Sequence, residues 1–250
     1  MLRGNPILAC LFAGTVSAVA ARAAPAMFEK PLGTETGSGQ TRYKWDVTWT
    51  CTRYPHFTVK AEYYGGSGAD FFAVPDYGGP FGCADRMRGE RRLSAYGRLT
   101  GVRGDYVLLD DLGIRADRQN QPLRFGFFDG TTGKSLLEDS MSGAWTSLQF
   151  TANGFVLRYR RVFQSDCSLR FGLATDCWTR IKRATGLTDA MGPDCRALYD
   201  AKRKATQYAD QLPNVDRTPV MISYDVETRY EGGKTTFTPR PGKVDCALAY

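Results

Sequence analysis

From Tyr43 the chain alternates cleanly: Tyr43, Trp45, Val47, Trp49 and Cys51 fall on one side of an extended backbone, and Lys44, Asp46, Thr48 and Thr50 on the other. A period of two predicts a half-buried strand. Phe57, Val59, Ala61 and Tyr63 repeat the pattern once Arg53-Tyr54-Pro55 has broken it. Further strands are predicted at 70–74, 93–99, 105–110, 122–128, 134–138, 145–150, 155–163, 220–230 and 234–238. Asp129-Gly130-Thr131-Thr132-Gly133, Ala152-Asn153-Gly154 and Glu231-Gly232-Gly233 lie between such runs, where glycine or asparagine supplies the positive φ of a tight hairpin. Short strands joined by hairpin turns predict a mainly β fold, an antiparallel sandwich or barrel-like sheet, with a partial propeller left open.

Two short helical insertions are expected. Asp176 is placed to cap a helix whose Cys177, Trp178, Ile181 and Ala184 fall at helical spacing, with Gly186 as its stop. In the second, Pro193 suits a first turn, and Leu198, Tyr199, Ala205, Tyr208, Ala209 and Leu212 form a stripe ending before Pro213. Residues 24–41 hold breakers and no apolar period, which predicts an irregular arm, and residues 42–250 read as a single β-rich domain. The Phe127–Lys134 hairpin resembles a propeller-blade turn, but no repeat of fixed period accompanies it.

The N-terminus sets the expected compartment. Arg3 precedes an almost unbroken apolar run from Ile7 to Ala20, and Ala21-Arg22-Ala23 closes it with small residues, so residues 1–23 read as an export signal cleaved after Ala23. Ile7-Leu8-Ala9-Cys10 is set aside as a lipid-attachment box because the apolar run continues past Cys10. The expected location is periplasmic or secreted, with no transmembrane segment after cleavage. Six cysteines then remain, Cys51, Cys83, Cys167, Cys177, Cys195 and Cys246. In an oxidising compartment they form three disulfides, and loop-closure entropy ranks sequence neighbours first: Cys51 with Cys83, Cys167 with Cys177, Cys195 with Cys246. A metal site fits poorly, since there is no C-x-x-C and His56 is the single histidine.

The formal charge is +7, to which Arg3 and Arg22 contribute two. A mildly basic balance favours loose attraction to anionic polymers or lipid headgroups over specific nucleic-acid binding. No cofactor is implied. Gly130-Thr131-Thr132-Gly133-Lys134-Ser135 fails as a phosphate loop because Phe128 stands where the first glycine belongs and both flanks read as strands. Gly66-Ser67-Gly68 lacks the G-x-S-x-G frame, His56 reads as a surface residue, and the acids of 105–117 miss the calcium-loop pattern. No catalytic residue is assigned. Asp110-Asp111, Glu138-Asp139 and Asp225 with Glu227 are the acids from which a carboxylate-dependent glycan hydrolase would draw its pair.

One stretch is a binding candidate. Tyr64 to Arg92 is glycine-rich, carries Phe71, Phe72, Tyr77 and Phe81, and closes with Arg86, Arg88, Arg91 and Arg92. Guanidinium forks suit phosphate or carboxylate, and exposed rings suit sugar faces, so the expected ligand is an anionic envelope glycan or lipid headgroup held by Tyr77 and the four arginines. The favoured function is that of an exported, non-enzymatic envelope-binding protein; a glycan hydrolase and a secreted inhibitor or subunit of another protein are the alternatives. N-terminal sequencing of the exported chain should begin at Ala24; a chain that keeps Met1, or starts at a lipidated Cys10, would overturn both the compartment and the disulfide argument.

Overall fold

The structure, a computed structural model, describes residues 27–40, 45–64, 69–75, 82–84, 86–112, 122–170, 174–189, 191–206 and 211–248. The leader expected over 1–23 lies outside them, as do Tyr77, Phe81, Tyr208 and Ala209. Among the described residues 13 strands form one antiparallel sheet. In chain order they are β1 (Gly33–Gln40), β2 (Asp46–Arg53), β3 (Phe57–Tyr63), β4 (Ala69–Pro75), β5 (Arg91–Arg103), β6 (Tyr106–Asp110), β7 (Leu123–Asp129), β8 (Ser135–Met141), β9 (Ser147–Thr151), β10 (Gly154–Gln164), β11 (Val220–Glu231), β12 (Lys234–Pro239) and β13 (Asp245–Leu248). Helices α1 (Ala174–Thr185), α2 (Arg196–Ala205) and α3 (Leu212–Arg217) occupy the connection from β10 to β11.

Spatial order follows chain order from β1 to β8 and continues through β10, β11 and β12, with β9 on β10 and β13 on β11. The ladder runs from β1 to β12 without closing on itself, so the expected antiparallel β architecture is an open sheet. It bends in β5. The first half of that strand pairs with β4 and the second with β6, both ladders carry register shifts, and Tyr96 holds φ at 57°. Extra residues in one strand of a pair kink it and raise its twist. Phe57, Val59, Ala61 and Phe71 of β3 and β4 consequently share a buried cluster with Val102, Val107, Leu109 and Phe128, in the manner of a sandwich. A second core joins Phe127, Phe155, Tyr159, Ile222 and Val226 of the sheet to Trp178, Ile181 and Tyr199 of the helices.

The N-terminal arm is not irregular over its second half. Gly33–Gln40 pairs residue for residue with β2, a strand that needs no apolar period because the backbone ladder is what holds it on the edge. Its glycines have a steric purpose: a Cβ on Gly37 would stand 2.3 Å from Trp49 Nε1, and one on Gly39 would stand 3.0 Å from the same ring.

The helices also differ in detail. Asp176 lies inside the first turn of α1 instead of capping it, and Thr185, not Ala184, completes the buried side with Cys177, Trp178 and Ile181. Gly186 is the expected stop, with φ 77° and its N–H on the Lys182 carbonyl at 2.8 Å. The single second helix is two. The chain leaves α2 at Thr206 in an extended conformation, and Pro213 falls in the first turn of α3, where a missing N–H costs nothing.

The cysteines pair as loop closure ranks them: Cys51–Cys83, Cys167–Cys177 and Cys195–Cys246, with Cα separations of 5.6, 5.6 and 5.9 Å. Cys167–Cys177 ties the strand exit to α1, and Cys195–Cys246 ties the start of α2 to β13. Replacing Cys167 and Cys177 together by serine should lower the unfolding free energy by about 2–4 kcal/mol in a denaturant titration; an unchanged midpoint would show that this bond contributes nothing to the fold.

Candidate functional site

Alternation along paired strands sorts the candidate residues onto two faces. The register places Cys51 opposite Lys60, Lys60 opposite Phe72 and Phe72 opposite Arg92, so these four share one face with Trp49, Glu62 and Asp70. Ala73 opposite Arg91 belongs to the other. The first face would leave β3 uncovered, because the bend at β5 buries only its opposite side. Residues 82–84 and 86–90 supply the cover.

That segment is anchored at several points. Cys83 is bonded to Cys51, and its N–H donates to Glu35 Oε2 on β1 at 3.1 Å. Met87 packs beside Val47, Trp49 and Cys51, its sulfur 3.7 Å from that of Cys51. Lys60, with none of its surface exposed, places its Nζ 2.7 Å from Glu62 Oε1 and 2.7 Å from Glu90 Oε1. Glu90 Oε1 also accepts the Met87 N–H at 2.7 Å, and the Phe72 ring centre lies 5.7 Å from the ammonium. The Tyr64 hydroxyl donates to Glu62 Oε2 at 2.5 Å, and burial together with that carboxylate raises its pKa. One buried cation thus joins two strand positions to a loop.

On this frame the candidate arginines separate. Arg86 and Arg88 stand exposed on the anchored segment. Arg92 is exposed on the same side of the sheet and pairs with Asp70 Oδ2 at 2.7 Å. Arg91 is exposed as well but projects from the opposite face, where its Cβ would meet a Cβ on Gly133 at 2.8 Å. The structure therefore brings three of the four arginines to one side and directs the fourth to the β7–β8 turn. Tyr77 lies outside the described residues.

Each candidate acid has an arginine within 4 Å. Asp110 receives a two-pronged contact from Arg98 at 2.9 and 3.0 Å, and Asp111 lies 3.6 Å from the same side chain. Glu138 faces Arg124 at 3.7 Å. Asp225 and Glu227 project from one side of β11 into a ladder of arginines, with Arg160 at 3.3 Å from the first and Arg158 at 2.8 Å from the second. The hydrogen bond from Arg158 holds the Glu227 carboxyl below its ordinary pKa. His56 is exposed in the turn before β3. Among the described residues no group of three or more His, Cys, Asp or Glu side chains could hold a metal ion.

Asp139 belongs to a buried network that the sequence pattern did not reveal. Its Oδ2 accepts from the Tyr159 hydroxyl and lies 2.8 Å from Arg161 Nε, while Arg161 donates to the Tyr224 hydroxyl at 3.2 Å and stacks over Phe237 at 4.0 Å. Thr228 donates to the Tyr159 oxygen at 3.2 Å. Burial, then the Asp139 charge, pushes the Tyr159 pKa up, so the phenol stays a donor. These groups lock β8, β10, β11 and β12 together at the level of the core.

No protein-family model matches the chain, and no curated protein or solved structure matches it. Among the described residues no helix is long and apolar enough to cross a membrane.

Lys60 is the residue on which the candidate surface hangs. Lys60→Met removes the cation and leaves Glu62 and Glu90 facing one another without it, which should cost about 3–5 kcal/mol in denaturant unfolding. A loss below 1 kcal/mol would mean that the disulfide, the Cys83–Glu35 bond and the packed Met87 hold the segment in place without the ion pair.

Proposed function

We propose that the protein is a non-enzymatic binding protein of an oxidising, extracytoplasmic compartment, which engages the phosphate or carboxylate groups of an anionic envelope polymer through Arg86, Arg88 and Arg92. The observation that carries this reading is the anchoring of residues 82–84 and 86–90: a disulfide, a buried ion pair and a packed methionine fix a short exposed segment that bears two arginines, beside a strand that bears a third. Fixed cations lose little freedom when a ligand arrives, so each contact contributes more of its gross energy to affinity. The acid pairs singled out in the sequence lie against arginines, which argues against those pairs as the carboxyls of a glycosidase, since such an enzyme requires one carboxyl free to protonate the leaving oxygen. Three disulfides suit the oxidising compartment.

The test compares a triple variant with a single one. Changing Arg86, Arg88 and Arg92 together to serine should abolish most binding to vesicles containing anionic lipid and to an acidic polysaccharide, whereas Arg91→Ser should leave it nearly unchanged. Wild-type binding should fall steeply with added salt, and the triple variant should bind weakly at every salt concentration. Each exposed arginine contributes within about 0.5 kcal/mol to folding, so the thermal midpoint should hardly move. Equal binding by the triple variant and the wild type would overturn the assignment.

A further inference from the structure

The turns that follow β5, β7, β9 and β11 gather at one end of the sheet and enclose an open cavity of about 620 Å³. One wall is aromatic. Tyr106 stacks against Phe150 with ring centres 6.0 Å apart and meets Tyr230 edge-on at 6.2 Å; behind them Phe155 stacks on Phe127 at 4.0 Å and fixes the wall to the core. Tyr106, Phe150 and Tyr230 each retain partial exposure and each lines the cavity. Tyr106 and Phe150 lie within 23° of parallel, and Tyr230 stands nearly at a right angle to Tyr106, so the wall offers ring faces in two directions.

The remaining polar lining is mostly acidic. Glu29, Asp105 and Asp129 stand against a single guanidinium, that of Arg103, a net two negative charges. Each acid commits one oxygen to the fold. Glu29 Oε1 accepts the Gly104 N–H at 2.7 Å, Asp105 Oδ1 the Thr131 hydroxyl at 3.3 Å, and Asp129 Oδ1 the N–H groups of Thr131 and Thr132 at 2.8 and 2.7 Å. Asp105 Oδ2 and Asp129 Oδ2 take no part in those bonds. Glu29 Oε2 is buried and has no hydrogen-bond partner, a condition that costs free energy unless a donor is supplied. Burial, reinforced by Tyr230 and the two aspartates, raises the Tyr106 pKa and keeps its phenol a hydrogen-bond donor.

An aromatic ring beside carboxylate oxygens that stand outside the hydrogen bonds of the turns matches one chemical class. We infer that this cavity binds a pyranose unit of a neutral or amino-substituted glycan, its apolar face on the Tyr106 ring and its hydroxyl or ammonium groups on Glu29, Asp105 and Asp129. The C–H groups on one side of a pyranose carry slight positive charge and meet the negative face of an aromatic ring, while carboxylates accept strongly from sugar hydroxyls and more strongly from an ammonium group. The volume falls within the range of small-ligand sites. An acidic sugar is repelled by the same three carboxylates, which sets this cavity apart from the arginine-bearing surface; the assignment does not rest on that surface.

The experiment titrates the full chain with short oligomers of glucose, of N-acetylglucosamine and of glucosamine, and titrates the Arg86→Ser, Arg88→Ser, Arg92→Ser triple variant, which lacks the arginine-bearing surface, with these and with an oligomer of galacturonic acid, following intrinsic fluorescence and calorimetry. Binding of a neutral or amino oligomer, insensitive to salt for the neutral ones, is expected in both proteins, with the galacturonic acid oligomer excluded from the triple variant. Asp105→Asn, at an exposed turn position, should weaken the amino oligomer about tenfold, and Tyr106→Leu should weaken neutral oligomers roughly two- to tenfold. Near-ultraviolet circular dichroism confirms that each variant is folded, and Asp105→Asn keeps the test open should Tyr106→Leu disturb the ring cluster. Preference of the triple variant for the galacturonic acid oligomer, preference for a tetramethylammonium salt over every sugar, absence of binding at millimolar concentrations, or wild-type affinity in a folded Asp105→Asn variant would each overturn the assignment.

Discussion

The bend in β5 decides which surfaces of this protein have to be covered. An antiparallel sheet this wide can stay flat, curl closed or fold over, and the register shifts beside Tyr96 commit it to folding over. β3 then has one face in the common core with β6 and β7. Its other face turns outward, carrying Lys60 and Glu62, two charged residues in the middle of a sheet. A carboxylate and an ammonium group cannot remain there beneath an apolar lid. Residues 82–84 and 86–90 meet that requirement by bringing Glu90, and in doing so they place arginines at a fixed position on the surface. The candidate binding surface is a consequence of how a strand face is closed.

Two buried charge networks stabilise different things. The Lys60 group joins a loop to a sheet, so its loss would free a segment while the strands beneath remain paired. The Asp139 group joins four strands to each other, with Arg161 sandwiched between a carboxylate and the Phe237 ring. The ladder of Arg158, Arg160, Asp225, Glu227 and Asp245 on the outside of β10 and β11 is solvated and carries correspondingly little energy per pair.

Much of the fold was legible in the sequence because hairpin turns and a period of two are local signals. The three disulfides were legible for a related reason, since each closes the shortest loop open to it. β1 was not, because an edge strand held by backbone bonds needs no apolar pattern, and its glycines read as breakers until Trp49 is seen lying across them. Lys60 and Glu62 read as the solvated side of a strand; only the bond from Cys51 to Cys83 hints that a segment crosses that side. Arg91 and Arg92 are neighbours in the chain and so look like one patch, yet a strand sends neighbours to opposite faces. The cavity beside Tyr106 escaped notice because its rings and acids come from five separate stretches, each with an aromatic or an acid next to a turn and none with a motif of its own.

The order of the strands also shapes the route by which the chain acquires its structure. From β1 to β8 each strand pairs with the one made just before it, so those pairings close over short loops and should form early. The join between β10 and β11 is different, since all three helices lie between its two strands and its register matches Gln164 with Met221. That ladder has to wait for a long excursion of chain to return, and until it does the aromatic interior of the second core stays open to water. During that interval Phe127 and Phe155 are the surfaces on which a folding helper, or a neighbouring chain, would take hold.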